Sequence, residues 1–196
     1  MLKQIITISG TPGSGKSTIA KNLAQKLKAK RLYIGKIRRN IAKSKNMTLA
    51  ELNKYALTHP ETDVDIDKAV AQQAREMAKK SSVIVEGRVQ FHFLPESFKI
   101  FIDVDLDEGA KRIWQDLQKQ KAQSVRNKGD FDSLAEVKKS IKNRIANDKK
   151  RYKKYYNLDH TKKSHYDLII DTTNITAKKA TQKVLKSIQN LTKINK

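Results

Sequence analysis

From Gly10 to Ser17 the chain reads Gly-Thr-Pro-Gly-Ser-Gly-Lys-Ser, which satisfies the pattern G-x-x-x-x-G-K-[ST]. Glycines at 10, 13 and 15 let backbone N–H groups turn toward a phosphate, and a helix starting near Lys16 adds the positive end of its dipole. A lysine at this place bridges the β- and γ-phosphates of a nucleoside triphosphate, and the hydroxyl after it ligates Mg2+. Gly10, Thr11, Pro12, Gly13, Ser14, Gly15, Lys16, Ser17 and Thr18 are therefore the candidate ATP-binding residues. Among them Lys16 is a candidate catalytic cation and Ser17 a candidate metal ligand.

Two acids close short apolar runs, Glu86 after Ser82-Val83-Ile84-Val85 and Asp103 within Lys99–Val104. Phosphoryl-transfer sites need a carboxylate at such a strand end to hold magnesium, directly or through water. Glu86 is preferred, through water, because Gly87-Arg88 follows it. A glycine and then an arginine at the carboxyl edge of a parallel sheet bring a forked phosphate donor into the crevice where ligands bind. Gln90 and His92 come next; they are either hydrogen-bonding groups for a base edge or ordinary loop polar groups. Arg144, Asp148 and Arg151 are spaced by four and then three residues, so one helix face carries all three. A carboxylate among such cations either accepts from a nucleoside or pairs with Arg144 and Arg151.

These residues require a frame. An apolar run at 4–9 passes through the glycine turn into Ser17–Leu27, whose apolar residues follow helical spacing, the order strand, loop, helix. A short strand is expected at Arg31–Ile34, and a mainly helical stretch over 36–80 with a break at Thr58-His59-Pro60. The near-continuous apolar runs at 82–86 and 99–104 read as strands buried on both faces of a parallel sheet. A fifth strand is expected at Tyr166–Asp171, and a closing helix at Ala177–Leu191. Between strands four and five, helices are expected at Leu106–Gln120 and Ser133–Tyr156, with a polar segment at Ala122–Asp132 between them. Strands alternating with helices define an α/β doubly wound sheet, and the basic helical excursion opposite the phosphate loop has the place of a lid.

Composition narrows the classes. At 196 residues one domain is expected. The absence of cysteine removes disulfides, thiolate metal sites and cysteine nucleophiles. The four histidines lack the spacing of a helical zinc site, and no apolar run is long enough to span a membrane. An unprocessed, soluble, cytoplasmic monomer is expected. The net charge is +22, with 23 basic against 8 acidic residues after position 110, or +15. That surplus reads either as solvated lysine-rich helix faces or as attraction for a polyanion. Only Trp114 and Tyr152, Tyr155 and Tyr156 lie in the long basic stretches, which is no aromatic stacking platform for nucleic acid.

The loop Gly10–Thr18, the segments Gly35–Arg39 and Thr48–Leu52, Val85-Glu86-Gly87-Arg88, and Arg151–Asp159 occur in this order. In that order the chain resembles the short, archaeal-type cytidylate kinases of the P-loop nucleoside monophosphate kinase superfamily, from residue 4 to about 190. The resemblance implies a P-loop kinase fold with a five-stranded parallel sheet, helices on both faces, and helical monophosphate-binding and lid parts. It implies γ-phosphoryl transfer from ATP to CMP or dCMP with Mg2+. In that reading 1–196 is one domain, with core 1–35, 81–115 and 160–196, a monophosphate-binding part 36–80 and a lid region 116–159. The resemblance implies that Arg39, Gly87, Arg88, Asp148 and Arg151 bind CMP and that Arg88, Arg144 and Arg151 join Lys16 in catalysis. Arg112 is a further candidate for the transferred phosphate, or else an exposed helical arginine. The pattern differs at Ile34, where a serine is usual, at Lys36 in place of an acid, and at Asn157 in place of glycine; asparagine tolerates the left-handed backbone there. Rival acceptors on the same fold are AMP, UMP, shikimate or a nucleoside, and a rival class is a nucleic-acid-associated ATP switch.

Overall fold

The computed structural model describes residues 4–119 and 131–194. Gln120 and residues 122–130 of the expected polar segment lie outside the described residues. The strands are β1 (Ile5–Gly10), β2 (Lys30–Tyr33), β3 (Val83–Glu86), β4 (Phe98–Asp103) and β5 (Leu168–Asp171). The helices are α1 (Lys16–Lys26), α2 (Ile34–Ser44), α3 (Leu49–Tyr55), α4 (Glu61–Ala78), α5 (Gln90–Phe93), α6 (Leu106–Lys119), α7 (Leu134–Tyr156) and α8 (Ala177–Ile194). All the strands pair in parallel, in the order β2-β3-β1-β4-β5, which is the expected five-stranded sheet.

Every residue of β1 is buried, because the central strand is covered on both faces. Successive side chains of a strand point to opposite faces. Ile6 and Ile8 therefore pack with Ile19 and Leu23 of α1 and Val184 and Ile188 of α8. On the other face Ile5 joins Val83, Val85 and Ile34 against Val70, Ala71 and Ala74 of α4. Each fully buried aliphatic side chain contributes about 1.5–3 kcal/mol, so these two layers hold the sheet.

Element boundaries differ from the sequence reading for local reasons. The stretch 36–80 breaks twice: at Pro60, as expected, and at 45–48. There Asn46 takes φ 53° and Thr48 forms a capping box with Glu51. Ile34 opens α2 rather than closing β2, and β5 begins two residues late because a 3-10 turn occupies Lys163–His165. Ser133 caps α7, accepting from Glu136 N at 3.2 Å, and Asn157 ends it in the left-handed region at φ 51°, ψ 36°.

Helix α7 has two attachments. Its first half packs Val137 and Ile141 with Ala110 of α6. Its second half docks on the turn after α3 and on α4: Tyr155 Oη donates to Ala56 O at 2.5 Å, Lys154 Nζ to Leu57 O at 2.9 Å and Tyr156 Oη to Asp67 of α4 at 2.9 Å.

Candidate active site

The glycine loop connects β1 to α1 at the sheet's carboxyl edge, beside the ends of β2, β3 and β4. At Gly13 (φ 80°) an added Cβ would come within 2.4 Å of Gly109 O, so the loop packs on α6 without room for a side chain. Gly15 caps α1 in the left-handed region at φ 76°. Thr11 N donates to Ile102 O at 3.1 Å, which anchors the loop to β4. The first-turn N–H groups of α1 face the space that this loop surrounds.

Glu86 is fully buried at the end of β3 and faces the loop. Its carboxylate accepts from Ser17 Oγ at 2.5 Å, Lys16 Nζ at 3.2 Å and Arg31 Nε at 3.2 Å. Burial alone would raise its pKa, but Lys16, Ser17 and Arg31 outweigh that and hold it below the usual carboxylate range. Burial lowers the pKa of Lys16, against the attraction of Glu86. Asp103, the other strand-end acid, faces elsewhere: it accepts from Thr11 Oγ1 at 3.3 Å and pairs with Lys163 at 2.9 Å.

The opposite wall comes from α2, the turn after β3, and α7. Ser9 Oγ donates to Arg88 O at 3.0 Å, which fixes that turn, and Arg88 Nε pairs with Asp148 Oδ2 at 3.0 Å. Ile34 Cδ1 lies 2.6 Å from where a Cβ on Gly87 would stand, so a larger residue there would have to displace the Ile34 side chain. Ile34, the departure from the family pattern, therefore packs directly on the turn that presents Arg88. Arg39 lies over the Tyr33 ring, 5.1 Å from its centroid, and faces no carboxylate among the described residues. Burial raises the Tyr33 pKa, but hydrogen bonds with Ser17 and Arg39 reverse that and leave it lowered. Arg144 is exposed and makes no hydrogen bond among the described residues; the nearby Arg88 charge lowers its pKa. Lys16, Arg88, Arg39 and Arg144 thus gather positive charge around one cleft.

Arg151, Arg112, Gln90 and His92, candidates from the sequence, have other partners. Arg151 is 2% exposed and enclosed: Nε stands 2.6 Å from Asp63 in an ion pair outside hydrogen-bond geometry, Nη2 donates to Asp148 at 2.8 Å and Tyr152 Oη at 3.2 Å, and Nη1 donates to Asn53 O at 3.4 Å. It stands behind Asp148 rather than in the cleft. Arg112, a candidate for the transferred phosphate or else an exposed helical arginine, is half-buried and held by Glu108 and by the carbonyls of Thr172 and Thr173, at 2.8, 2.7 and 3.1 Å. There it lines a cavity of about 420 Å³ with Ser14, Gly15, Thr172, Asn174 and Thr176. Gln90 is buried and donates to Asp67 at 2.8 Å, whereas His92 is exposed against Tyr156. Asp148, for which two readings stood open, pairs with Arg88 and Arg151 rather than with Arg144.

Sequence reasoning missed Tyr33, Arg31, Asp63 and Thr172. Tyr33 carried a usable signal, because it ends a strand in register with Glu86. Asp63 carried none, being one acid among several in the first turns of α4.

The model of the cytidylate kinase-like family matches residues 5–174, most of the chain. The chain belongs to the cytidylate kinase-like family. Within this cytidylate kinase-like group, the cytidylate kinase of Methanocaldococcus jannaschii is 37% identical over 96% of this chain and 99% of its own. That of Methanothrix thermoacetophila is 38% identical over 86% and 88%. Among solved structures, an uncharacterized protein from Eubacterium ventriosum aligns over 95% of this chain and 98% of its own with a TM-score of 0.66 at 21% identity. Shikimate kinase from Bacteroides thetaiotaomicron aligns over 95% and 98% with a TM-score of 0.56 at 14% identity. At such identities the likeness shows the fold, which is that of the P-loop kinases. Among the described residues of this cytidylate kinase-like chain, no helix is long and apolar enough to cross a membrane.

Proposed function

We propose that this protein transfers the γ-phosphoryl group of ATP to CMP, and to dCMP, giving CDP or dCDP and ADP. The observation that carries the reading is the pairing of two charge systems across one cleft. Lys16 and Glu86 stand at the glycine loop, and Arg88 stands with Asp148 on the opposite wall. The naming of the archaeal relatives as cytidylate kinases supports CMP as the acceptor.

In this reading residues 10–18 cradle the ATP phosphates, and the Arg112-lined cavity takes the adenine side of the nucleotide. Arg39 and Arg88 close two guanidinium forks on the CMP phosphate, while Asp148 accepts from the nucleoside. Arg144, unpaired in the cleft, is available to the transferred phosphoryl group. Arg151 acts from behind by fixing Asp148. Residues 36–80 form the acceptor-binding part and 116–159 the lid region of a single domain.

The serine hydroxyl and the carboxylate oxygen 2.5 Å apart make a hard-oxygen pair that fits Mg2+. Ser17 would hold the ion directly and Glu86 through water; when bound it supplies countercharge to the β- and γ-phosphates. The chain's own work is alignment of the acceptor oxygen, the γ-phosphorus and the leaving oxygen, and neutralisation of charge by Lys16 and the arginines. An acceptor phosphate oxygen is already anionic at pH 7, so no general base is needed. Closure of the lid over both nucleotides keeps water from the γ-phosphate. The enzyme is proposed to act as a cytoplasmic monomer on small nucleotides.

The test is an acceptor profile of the purified protein with Mg2+ and ATP, scoring ADP release with CMP, dCMP, UMP, AMP and shikimate. CMP and dCMP are expected to lead. AMP, UMP or shikimate performing as well as CMP overturns the reading.

A further inference from the structure

Five charges alternate in sign along one line from the acceptor-binding part to the lid helix and on to the turn after β3. Arg38 pairs with Asp63, Asp63 Oδ2 with Arg151 Nε at 2.6 Å, Arg151 Nη2 with Asp148 Oδ1 at 2.8 Å, and Asp148 Oδ2 with Arg88 Nε at 3.0 Å. Each carboxylate serves two guanidiniums through different oxygens, and Arg151 serves two carboxylates through different nitrogens. Three guanidiniums against two carboxylates leave one surplus positive charge in the line. The middle is dry, with the side chains of Asp63, Arg151 and Asp148 at 2%, 2% and 3% exposed.

We propose that Asp63 is a positioning residue for the acceptor nucleotide, acting through Arg151 on Asp148. Asp63 Oδ1 accepts from Arg38, and Oδ2 faces Arg151 Nε at 2.6 Å as an ion pair outside hydrogen-bond geometry, deep in the buried line and closed to a substrate. Its effect is to hold the Nε edge of Arg151. A buried guanidinium that loses one carboxylate is left with an uncompensated charge, and the carboxylate still in contact with it here is Asp148. Asp148 would then be drawn to Arg151 with both oxygens and away from Arg88 and the nucleoside. Asp63 thus keeps Asp148 Oδ2 on the cleft side. Because Asp63 lies on α4 and Arg151 on α7, the same contact ties the acceptor-binding part to the lid helix. The inference rests on the reading that Arg88 and Asp148 hold the acceptor.

The experiment is steady-state kinetics of the full chain carrying Asp63→Asn, Asp63→Glu or Arg88→Lys, with thermal melting of each. Asp63→Asn is expected to raise KM for CMP about tenfold and to leave KM for ATP within about twofold, with Asp63→Glu restoring part of the loss. A purely structural role would lower kcat with the folded fraction and leave both KM values unchanged, and that result overturns the proposal. If Asp63→Asn does not fold, Asp63→Glu, which keeps the charge and displaces it from Arg151, carries the test, and a KM for CMP equal to that of the unaltered chain in that variant overturns it equally. If Arg88→Lys leaves KM for CMP unchanged, the acceptor reading fails and this inference with it. If Arg88→Lys raises it and Asp63→Asn does not, this inference alone fails.

Discussion

Arg88 Nε and Asp148 Oδ2 lie 3.0 Å apart, and through this one ion pair the turn after the β3 strand meets the long helix α7. Burial alone would favour the neutral acid, but Arg88, then Arg151 and Arg144, hold Asp148 below the usual carboxylate range. In the proposed reading the acceptor phosphate and sugar arrive at this pair, so binding exchanges one ionic contact for others. Arg88→Lys keeps the charge and loses the fork. It is expected to lower kcat/KM for CMP about 30-fold, which corresponds to about 2 kcal/mol, while KM for ATP stays within about twofold. Equal losses for both substrates would contradict the placement.

Glu86 joins Ser17, Lys16 and Arg31 at the phosphate loop. Glu86→Gln keeps the shape of the side chain and removes its charge. Titration of activity with Mg2+ is expected to show a requirement about tenfold higher in the variant, and EDTA abolishes turnover in both proteins. An unchanged Mg2+ dependence would separate Glu86 from the metal.

Asp67 lies buried on α4, where burial pushes its carboxyl up to about 7 against hydrogen bonds from Tyr156 and Gln90 and the charge of Arg38; Asp63 adds repulsion. Because the folded state binds this proton more tightly than the unfolded chain does, its contribution to stability falls as pH rises from about 4 to about 7. Asp67→Asn removes that loss. The difference in melting temperature, variant minus wild type, is expected to be more positive at pH 8.5 than at pH 5.5. A flat difference would show that Asp67 titrates normally.

Asn157 ends α7 at φ 51° and accepts from Lys153 Nζ at 2.5 Å. Asn157→Ala places a Cβ-bearing residue without a local hydrogen bond in the left-handed region. It should cost about 1 kcal/mol, or about 2–4 °C in Tm for a chain of this size. Asn157→Gly should match or exceed wild type. Equal melting of the alanine variant would mean the cap is not under strain.

The phosphate loop, the strands at 82–86 and 99–104 and the end of α7 at Asn157 were legible because each depends on near neighbours. A glycine pattern, a buried apolar run or a tolerated left-handed residue is written within a few positions. The same local logic put Arg144, Asp148 and Arg151 on one helix face, as the spacing required.

What each of those side chains faces was decided only by the tertiary structure. Arg144 and Arg151 share one helix, yet Arg144 is exposed in the cleft and Arg151 is buried between Asp63 and Asp148. Arg112 turned to the carbonyls after β5, and Tyr33 came beside Ser17. The reason is physical: whether a guanidinium remains free for a ligand depends on which carboxylates and carbonyls the fold brings within about 3 Å of it. Those partners lie far away in the chain. The sequence by itself determined the glycine loop at Gly10–Ser17 and which cations were available; packing determined which of them stay exposed in the cleft.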